Sequence, residues 1–306
     1  MVSLIRKKFR IAPSDIVLYG KNSVYSIVRR IAGVAMKRLV KNLLITLSSN
    51  SRFQRLLEHN VTFSQYLMGI GAGSSPDSSG EKVLVLRLKQ QYSTTKQPLC
   101  IFDVGANKGQ FLSLIVQGLQ GIPFYLHAFE PSQHTYNILS ENAKGYSNLL
   151  LNNFGLGKQS GEFELFYNEI GSGLASLSKR KLDHFGIDFK HTERVRIETL
   201  DDYCRNQKVE NIDFLKLDVE GHELDVLQGG LQMFRDRRIK MLSFEFGGCN
   251  IDSRTYFQDF WYFFNENGMN NIFRIAPSGY LVPIQQYKED MSNFAQQISL
   301  CCKVEC

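Results

Sequence analysis

The sequence lacks a paired-cysteine motif. Its six cysteines lie at positions 100, 204, 249, 301, 302 and 306, with neither the spacing of a disulfide framework nor the Cys-x-x-Cys pairs of a zinc site. This pattern predicts reduced thiols and a reducing, cytoplasmic compartment. Three cysteines fall in the last six residues, which we interpret as a frayed terminus with incidental thiols.

The sequence also lacks a long uninterrupted apolar run. The early apolar stretch 24–47 contains five charged residues: Arg29, Arg30, Lys37, Arg38 and Lys41. Such charges are costly at a bilayer centre and exclude a spanning helix, and no secretory signal is predicted. The stretch has helical apolar spacing, at Val24, Ile27, Val28, Ile31, Val34 and Ala35. We expect a basic amphipathic helix that packs on the main domain, with peripheral membrane contact as the alternative.

Acidic residues are scarce in the first 60 residues, which contain only Asp15 and Glu58 but twelve lysines and arginines. The remainder carries 24 basic and 28 acidic residues, so the positive charge is confined to the N-terminal part. This asymmetry predicts an anionic partner for residues 1–60, such as an inner membrane surface. The Gly- and Ser-rich segment 69–80 is expected either to divide a helical extension, 1–80, from a catalytic domain, 81–306, or to form a lid.

From Glu81 onward, strand-like and helical stretches alternate. Such alternation predicts an α/β fold with a doubly wound, mostly parallel sheet covered on both faces. The alternating patterns at 161–167 and 193–199 predict a half-exposed hairpin inserted before the fourth core strand. The six candidate core strands are 99–104, 124–130, 148–154, 212–218, 240–246 and 269–276.

The first strand ends in Asp103, and a glycine turn with Gly105, Asn107 and Gly109 follows it. Glycine lets the backbone approach a ligand, and the first free N–H groups of the next helix face the same place. We therefore expect a nucleotide-type ligand here, with a purely structural turn as the alternative. The glycine spacing departs from the dinucleotide fingerprint G-x-G-x-x-G, and the phosphate-binding P-loop motif is absent.

Polar residues also follow the second and third strands. Glu130, at a strand tip 27 residues after Asp103, is predicted to accept hydrogen bonds from ribose hydroxyls. Ser132 is a candidate for the same site or for a helix cap. Asn153 and Gly155 lie where a base would bind, although an ordinary glycine turn explains them nearly as well.

The fourth strand leads into Asp218, Glu220 and His222, and Glu245 lies near the tip of the fifth. Charged groups buried at such a place are costly without partners, which favours a function. His222 is a candidate general base because imidazole titrates near neutral pH, with Glu220 or Glu245 orienting it. His222 could instead be a surface residue, and Glu245 could form an ion pair. Glu223 is expected to stabilise the N-terminus of the following helix through the helix dipole.

Four ordered motifs in residues 80–285 resemble the FkbM family of S-adenosylmethionine-dependent methyltransferases. They are Asp103-Val-Gly-Ala-Asn-x-Gly, Phe129-Glu-Pro-Ser, Thr199-Leu-Asp-Asp-Tyr and Asp218-Val-Glu-Gly-His-Glu. The resemblance implies a Rossmann-like class I methyltransferase fold with seven strands and a terminal antiparallel hairpin near 269–283. It also implies O-methylation of a hydroxyl, commonly on a sugar of a polysaccharide, lipopolysaccharide or glycosylated metabolite.

The resemblance further assigns S-adenosylmethionine to the turn residues Asp103, Gly105, Asn107 and Gly109, with Glu130 at the ribose and Asp218 near the methionine. No metal is assigned, although Asp218 and Glu220 have the oxygen ligands that a metal-assisted mechanism would use. Three alternatives remain open: a nucleic-acid methyltransferase, another small-molecule methyltransferase and a non-catalytic cofactor-binding protein. Nucleic acid is disfavoured because the sequence has no Pro-Pro pair of the kind found in amino-methylating enzymes.

Overall fold

The computed structural model describes residues 21–70, 80–289, 291 and 298–303. The chain divides into two compact units, residues 1–63 and residues 64–306. That the extension ends at residue 80 stays a prediction. Of the Gly- and Ser-rich segment, residues 71–79 lie outside the described part, so its role as linker or lid also stays a prediction.

Two helices, α1 (Lys21–Ser48) and α2 (Ser51–Leu67), account for the described part of the first unit, and α2 continues into the second. The helix predicted over 24–47 is thus confirmed. Asn50 starts α2 by accepting a hydrogen bond from the Phe53 N–H at 2.9 Å. The predicted apolar stripe falls largely on side chains outside the described part, but Val34 is 63% exposed. Within the described residues, no helix has the length and apolarity needed to cross a membrane.

The second unit alternates helices and strands, as predicted. Its helices are α3 (Lys82–Thr95), α4 (Gln110–Gly118), α5 (Gln133–Asn142), α6 (Leu200–Gln207), α7 (Glu223–Gly229), α8 (Leu231–Arg235), α9 (Cys249–Ser253) and α10 (Phe257–Glu266), with a 3-10 turn at Asp183–Phe185. Its strands are β1 (Leu99–Val104), β2 (Phe124–Phe129), β3 (Leu149–Asn152), β4 (Gly155–Leu156), β5 (Gly161–Tyr167), β6 (His191–Glu198), β7 (Phe214–Leu217), β8 (Met241–Phe246), β9 (Asn271–Ile275), β10 (Leu281–Ile284) and β11 (Ile298–Lys303).

The main sheet has the strand order β10-β9-β11-β8-β7-β1-β2-β3. The five strands from β8 to β3 are mutually parallel, whereas β11, β9 and β10 pair antiparallel, so the mostly parallel Rossmann-like fold is confirmed. The predicted terminal hairpin is the β9–β10 pair.

The predicted count of seven strands is wrong, because the parallel part has five and the described sheet has eight in all. The unpredicted strand is β11, which contains Cys301 and Cys302 and lies between β8 and β9. The interpretation of this tail as a frayed terminus is therefore wrong for residues 301–303, whose backbone pairs on both edges, whereas residues 304–306 lie outside the described part.

The predicted hairpin is also present, outside the main sheet. Strands β5 and β6 pair antiparallel, and β4 joins β6 in a separate three-stranded sheet. The alternation of the sequence there follows from one buried and one exposed face: Leu165, Val195 and Ile197 pack together on the buried side.

Two apolar cores lie on opposite faces of the main sheet because side chains alternate along each strand. On β1, Phe102 and Val104 pack with helices α6, α7, α8 and α10, whereas Leu99 and Ile101 pack with α3, α4 and α5. The first core is rich in phenylalanine, and each buried large side chain contributes on the order of 2 kcal/mol. This three-layer packing holds the carboxyl ends of the parallel strands at one rigid edge.

Candidate active site

A cavity of about 730 Å³ opens at the carboxyl ends of β1, β2, β7 and β8. Chain order reverses between β1 and β7, and open α/β sheets bind ligands where such a reversal leaves a crevice. The cavity is lined by nine of the twelve predicted site residues: Asp103, Gly105, Asn107, Glu130, Gly155, Asp218, Glu220, His222 and Glu245. The other three, Gly109, Ser132 and Asn153, do not line it.

The turn after β1 depends on Gly105. Its φ is +84°, and a Cβ atom at this position would lie only 1.8 Å from the backbone oxygen of Asp218. Glycine is therefore required both for the left-handed conformation and for the close approach of the β1 and β7 ends. Gly109 is the N-terminal cap residue of α4 with a φ of +91°, so its role is to start the helix.

Asp103 is completely buried at the floor of the cavity. Within the described residues, neither of its carboxylate oxygens has a hydrogen-bond partner. Burial raises the pKa of Asp103 to about 6, with Asp218 and Glu81 adding to the shift and Lys216 opposing it. A buried carboxylate with free lone pairs fits a ligand that donates hydrogen bonds or carries positive charge.

Lys216 is a site residue that the sequence reasoning missed. It lies opposite Asp103 on the neighbouring strand, and its Nζ atom is 2.8 Å from Oδ2 of Asp218. Burial lowers the pKa of Lys216, but Asp218 and Asp103 outweigh this effect and raise it above its ordinary value. A lysine inside the buried strand Phe214–Leu217 was the available signal, because an interior lysine needs an anionic partner.

Glu130 links the turn after β1 to the turn after β2 by hydrogen bonds. Its Oε2 accepts a hydrogen bond from the Asn107 N–H at 3.0 Å, and its Oε1 accepts one from the Ser132 N–H at 2.9 Å. Burial raises the pKa of Glu130 to about 7, although both backbone hydrogen bonds oppose the shift. Each oxygen keeps a further lone pair for a ligand hydroxyl, as the ribose prediction requires.

Ser132 and Asn153 support this region from outside the cavity. Ser132 occupies the N-cap position of α5, as the helix-cap interpretation expected, but its side chain makes no capping hydrogen bond to the helix. Asn153 donates from Nδ2 to the backbone oxygens of Glu130 and Pro131, at 3.0 Å and 3.2 Å. Asn153 therefore fixes the turn that carries Glu130.

His222 lies between two hydrogen-bonding partners that the sequence analysis did not name. Its Nδ1 atom is 2.7 Å from Oδ2 of Asp225, and its Nε2 atom is 3.0 Å from Oγ of Ser178. We expected Glu220 or Glu245 to orient His222, but its hydrogen-bonding partners are Asp225 and Ser178. A carboxylate at Nδ1 favours the tautomer with its proton on Nδ1, which leaves the Nε2 lone pair facing Ser178.

Glu220 instead binds Arg180, with 2.6 Å between Nη1 and Oε2. Arg180 also lies 3.5 Å from Asp252, and the Ser176 hydroxyl donates to the backbone oxygen of Glu220 at 2.8 Å. Burial raises the pKa of Glu220 to about 8, with Asp218 adding to the shift and Arg180 opposing it. These contacts hold the segment 172–182 against the turn after β7, and residues 172–177 of this segment form one wall of the cavity.

Glu223 stabilises the turn after β7 by hydrogen bonds. It is fully buried, and its Oε1 accepts hydrogen bonds from the N–H groups of Val219 and Gly221, each at 3.1 Å. Its Oε2 accepts a hydrogen bond from Asn250 at 3.2 Å. Glu223 therefore shapes the turn that presents Glu220 and His222, which is a more specific role than the helix-dipole interaction expected from the sequence.

A family model, described as the methyltransferase FkbM domain, matches residues 103–270. The match spans the strand ends from Asp103 to Glu245 that line the cavity. None of the curated proteins matches the chain.

Three solved structures are similar to this chain at low identity. The methyltransferase FkbM from Methylobacillus flagellatus KT is 15% identical over 80% of this chain and 59% of its own, with a TM-score of 0.42. Magnesium protoporphyrin IX methyltransferase from Synechocystis PCC 6803 with bound SAM is 12% identical over 80% of this chain and 91% of its own, at 0.37. The N-terminal domain of human METTL16 in complex with SAH is 13% identical over 73% and 68%, at 0.38. This chain therefore spans less than two thirds of the FkbM structure from Methylobacillus.

Proposed function

Because the chain belongs to the FkbM methyltransferase family, we propose that it transfers a methyl group from S-adenosylmethionine to a hydroxyl of a sugar-containing acceptor. The observation that carries the proposal is the cavity at the strand ends, with the unpartnered carboxylate of Asp103 at its floor and Glu130 at its edge. A sugar of a polysaccharide, lipopolysaccharide or glycosylated metabolite is the acceptor class that the four sequence motifs suggest.

The charge of the cavity supports this cofactor over a dinucleotide. Its acidic side chains outnumber its cationic ones: Glu81, Asp103, Glu130, Asp218, Glu220 and Glu245 against Lys108 and Lys216. The raised pKa values of Glu130 and Glu220 leave these two only partly ionised at neutral pH, but four other acidic side chains remain. S-adenosylmethionine carries an ammonium and a sulfonium group, whereas the pyrophosphate of NAD would be repelled by the same carboxylates. When bound, S-adenosylmethionine supplies an electrophilic methyl group.

The residues of the cavity fit the parts of such a cofactor. Asp103 and Asp218 would hold the positively charged methionine end, and Glu130 would accept hydrogen bonds from the ribose hydroxyls. Asn107 has a buried Oδ1 atom without a partner within the described residues, which leaves it available to a donor group. Gly105 and Gly155 present only backbone to the cavity. A side chain at Gly105 would collide with the Asp218 backbone, and one at Gly155 would collide with Ile197.

His222 is the proposed general base. In the tautomer with its proton on Nδ1, His222 donates a hydrogen bond to Asp225, and its Nε2 lone pair accepts one from the Ser178 hydroxyl. An acceptor hydroxyl that replaces Ser178 at Nε2 would instead lose its proton to His222. Glu220 and Arg180 keep the turn in place, and Glu245 contributes to the acceptor side of the cavity.

A cytoplasmic site for the reaction completes the proposal. The described cysteines Cys100, Cys204 and Cys249 are free thiols, which suits a reducing compartment. Burial raises the pKa of Cys100 and of Cys204 to about 12, so both remain protonated and unreactive at neutral pH.

The first test is calorimetric titration of the full chain with S-adenosylmethionine and, separately, with NAD. We expect binding of S-adenosylmethionine only, weakened about 10- to 100-fold in Glu130→Ala because hydrogen bonds to a charged group are lost. Glu162→Ala is the matched control, since this glutamate is exposed on β5 and should leave the affinity unchanged. Absence of binding, or a preference for NAD, would contradict the proposal.

The base is tested separately, by methyl transfer to an acceptor identified from a screen of glycans. His222→Ala should lower turnover about 10²- to 10⁴-fold, the usual contribution of a general base, while the affinity for S-adenosylmethionine stays unchanged. His184→Ala, at an exposed histidine, serves as the control. Undiminished turnover in His222→Ala would reject this residue as the base.

A further inference from the structure

An apolar stripe runs along the exposed surface of α1. It consists of Met36, Leu39, Val40, Leu43 and Leu47, with the i, i+3, i+4, i+7 spacing that places side chains on one helical face. Leu39 is 67% exposed and Leu43 is 58% exposed. Lys37, Arg38 and Lys41, all exposed, lie on the other side of the helix, which also carries the exposed apolar residues Val34, Leu44 and Ile45. We call the five residues of the stripe and these three basic residues the α1 surface.

The helix α2 repeats this arrangement. Phe53, Leu56 and Leu57 lie on one face, and Leu56 is 55% exposed. No described residue of α2 is buried. Arg52 and Arg55 are exposed next to this face. Two successive helices thus display apolar side chains in water together with positive charge, which is unusual for a protein surface that has no partner.

From these surfaces we propose that α1 and α2 bind the anionic surface of a lipid bilayer, with their apolar faces in the headgroup region and their basic side chains at lipid phosphates. Helices with an apolar face and a strongly basic remainder lie in the membrane interface in this manner. Apolar burial and attraction to anionic headgroups then act together, so both should be needed for binding.

The charge of the segment favours a lipid surface over a second copy of the chain. Residues 21–67, which make up both helices, contain eight lysines and arginines and one acidic residue, Glu58. Two copies meeting through these helices would bring like charges together with only one acidic residue in each copy, which opposes association. A nucleic acid would satisfy the positive charge, but phosphate contacts leave the exposed leucines in water. Of these three occupants, the anionic lipid surface is the one that satisfies both features.

The test is co-sedimentation of the full chain with phosphatidylcholine vesicles, with and without phosphatidylglycerol. We expect sedimentation only with the anionic vesicles, and its decline as salt is raised, because screening weakens the attraction. The triple variant K37E/R38E/K41E should bind at least about tenfold less, and L39Q/L43Q should also bind at least about tenfold less.

Matched controls distinguish an effect of these particular surfaces from an effect of the net charge or of exposed apolar side chains in general. K89E/K158E/K190E makes the same charge change at exposed lysines of the second unit, and L86Q/I251Q removes two exposed apolar side chains there. Neither control should alter sedimentation, and circular dichroism should show unchanged helix content in all four variants. These substitutions lie outside the cavity, so a failure here is distinct from a failure to bind S-adenosylmethionine.

Four outcomes would overturn the proposal. The first is no sedimentation with anionic vesicles, and the second is an equal loss of binding in the matched controls. The third is a dimer, seen by light scattering, that L39Q/L43Q abolishes, since the apolar faces would then cover each other. The fourth is binding of a DNA duplex or single-stranded RNA under conditions in which anionic vesicles do not bind.

Discussion

Asp103 and Asp213 are two buried aspartates at opposite ends of neighbouring strands, and their surroundings differ. Asp213 binds Nζ of Lys240 at 2.7 Å, accepts the Cys100 N–H at 2.7 Å and contacts Gln91. Asp103 has no hydrogen-bond partner within the described residues. Asp213 is therefore placed to stabilise the fold, whereas the ionised Asp103 destabilises it until a ligand supplies a partner.

This difference predicts opposite effects of the same substitution on stability. The pKa of Asp103 is raised from 3.8 to about 6 by burial, so ionisation costs stability as the pH rises through this range, and the full cost is present above it. Asp103→Asn should therefore raise the free energy of unfolding at about pH 8 by about 1–3 kcal/mol, and the gain should shrink as the pH falls towards 4. The measurement is denaturant unfolding across this pH range.

Asp213→Asn is the matched comparison in the same assay. It should lower the free energy of unfolding by about 1–3 kcal/mol, because an ion pair and a charged hydrogen bond are weakened and Lys240 loses its partner. Asp103→Asn should also weaken S-adenosylmethionine binding, which Asp213→Asn should not. Equal destabilisation by the two substitutions would show that the Asp103 carboxylate stabilises the fold and is not an unpartnered group available to a ligand.

The sequence was sufficient to predict the cavity-lining residues that lie at the end of a strand or directly after it. Asp103, Glu130 and Asp218 end buried apolar runs, and parallel strands bring such ends to one edge. It was not sufficient for the partners of His222. Ser178 lies 44 residues away in a segment without periodicity, so only the folded chain brings the two together. Lys216 had a local signal that was overlooked.

At the scale of elements, the strands that form the site were the most predictable. The run 99–104 coincides with β1, and 161–167 coincides with β5, because apolar runs and alternation directly reflect burial. The boundaries of the other predicted strands differ from the observed ones by at most two residues, since propensity changes little at strand ends.

The strand β11 shows where this reasoning fails. Its sequence Ile-Ser-Leu-Cys-Cys-Lys alternates only weakly, and the cysteines drew attention to redox and metal chemistry instead. The position of β11 is set by pairing with β8 and β9, whose residues lie tens of positions earlier. Such long-range pairing is specified by the two edges that it joins, not by a local pattern.

At the scale of the whole molecule, the two units differ in how their residues are stabilised. The second unit has two apolar cores on a continuous sheet, and Ile70 belongs to one of them. Nearly all of the described side chains of α1 and α2 are exposed. A helix that lacks tertiary contacts is marginally stable in water and opens locally more often than a packed one.

This contrast predicts the order of cleavage by trypsin in the absence of lipid. The protease needs a locally unfolded segment, so it should cut first at exposed basic residues of α1 and α2, such as Lys41 and Arg55, and leave a fragment that retains the sheet. Mass spectrometry of a time course identifies the cuts. The Tm of the fragment should lie within about 3 °C of that of the full chain, because the removed helices contribute little apolar burial. Early cuts within 99–275, or a fragment that no longer unfolds cooperatively, would instead mean that the N-terminal helices stabilise the catalytic unit.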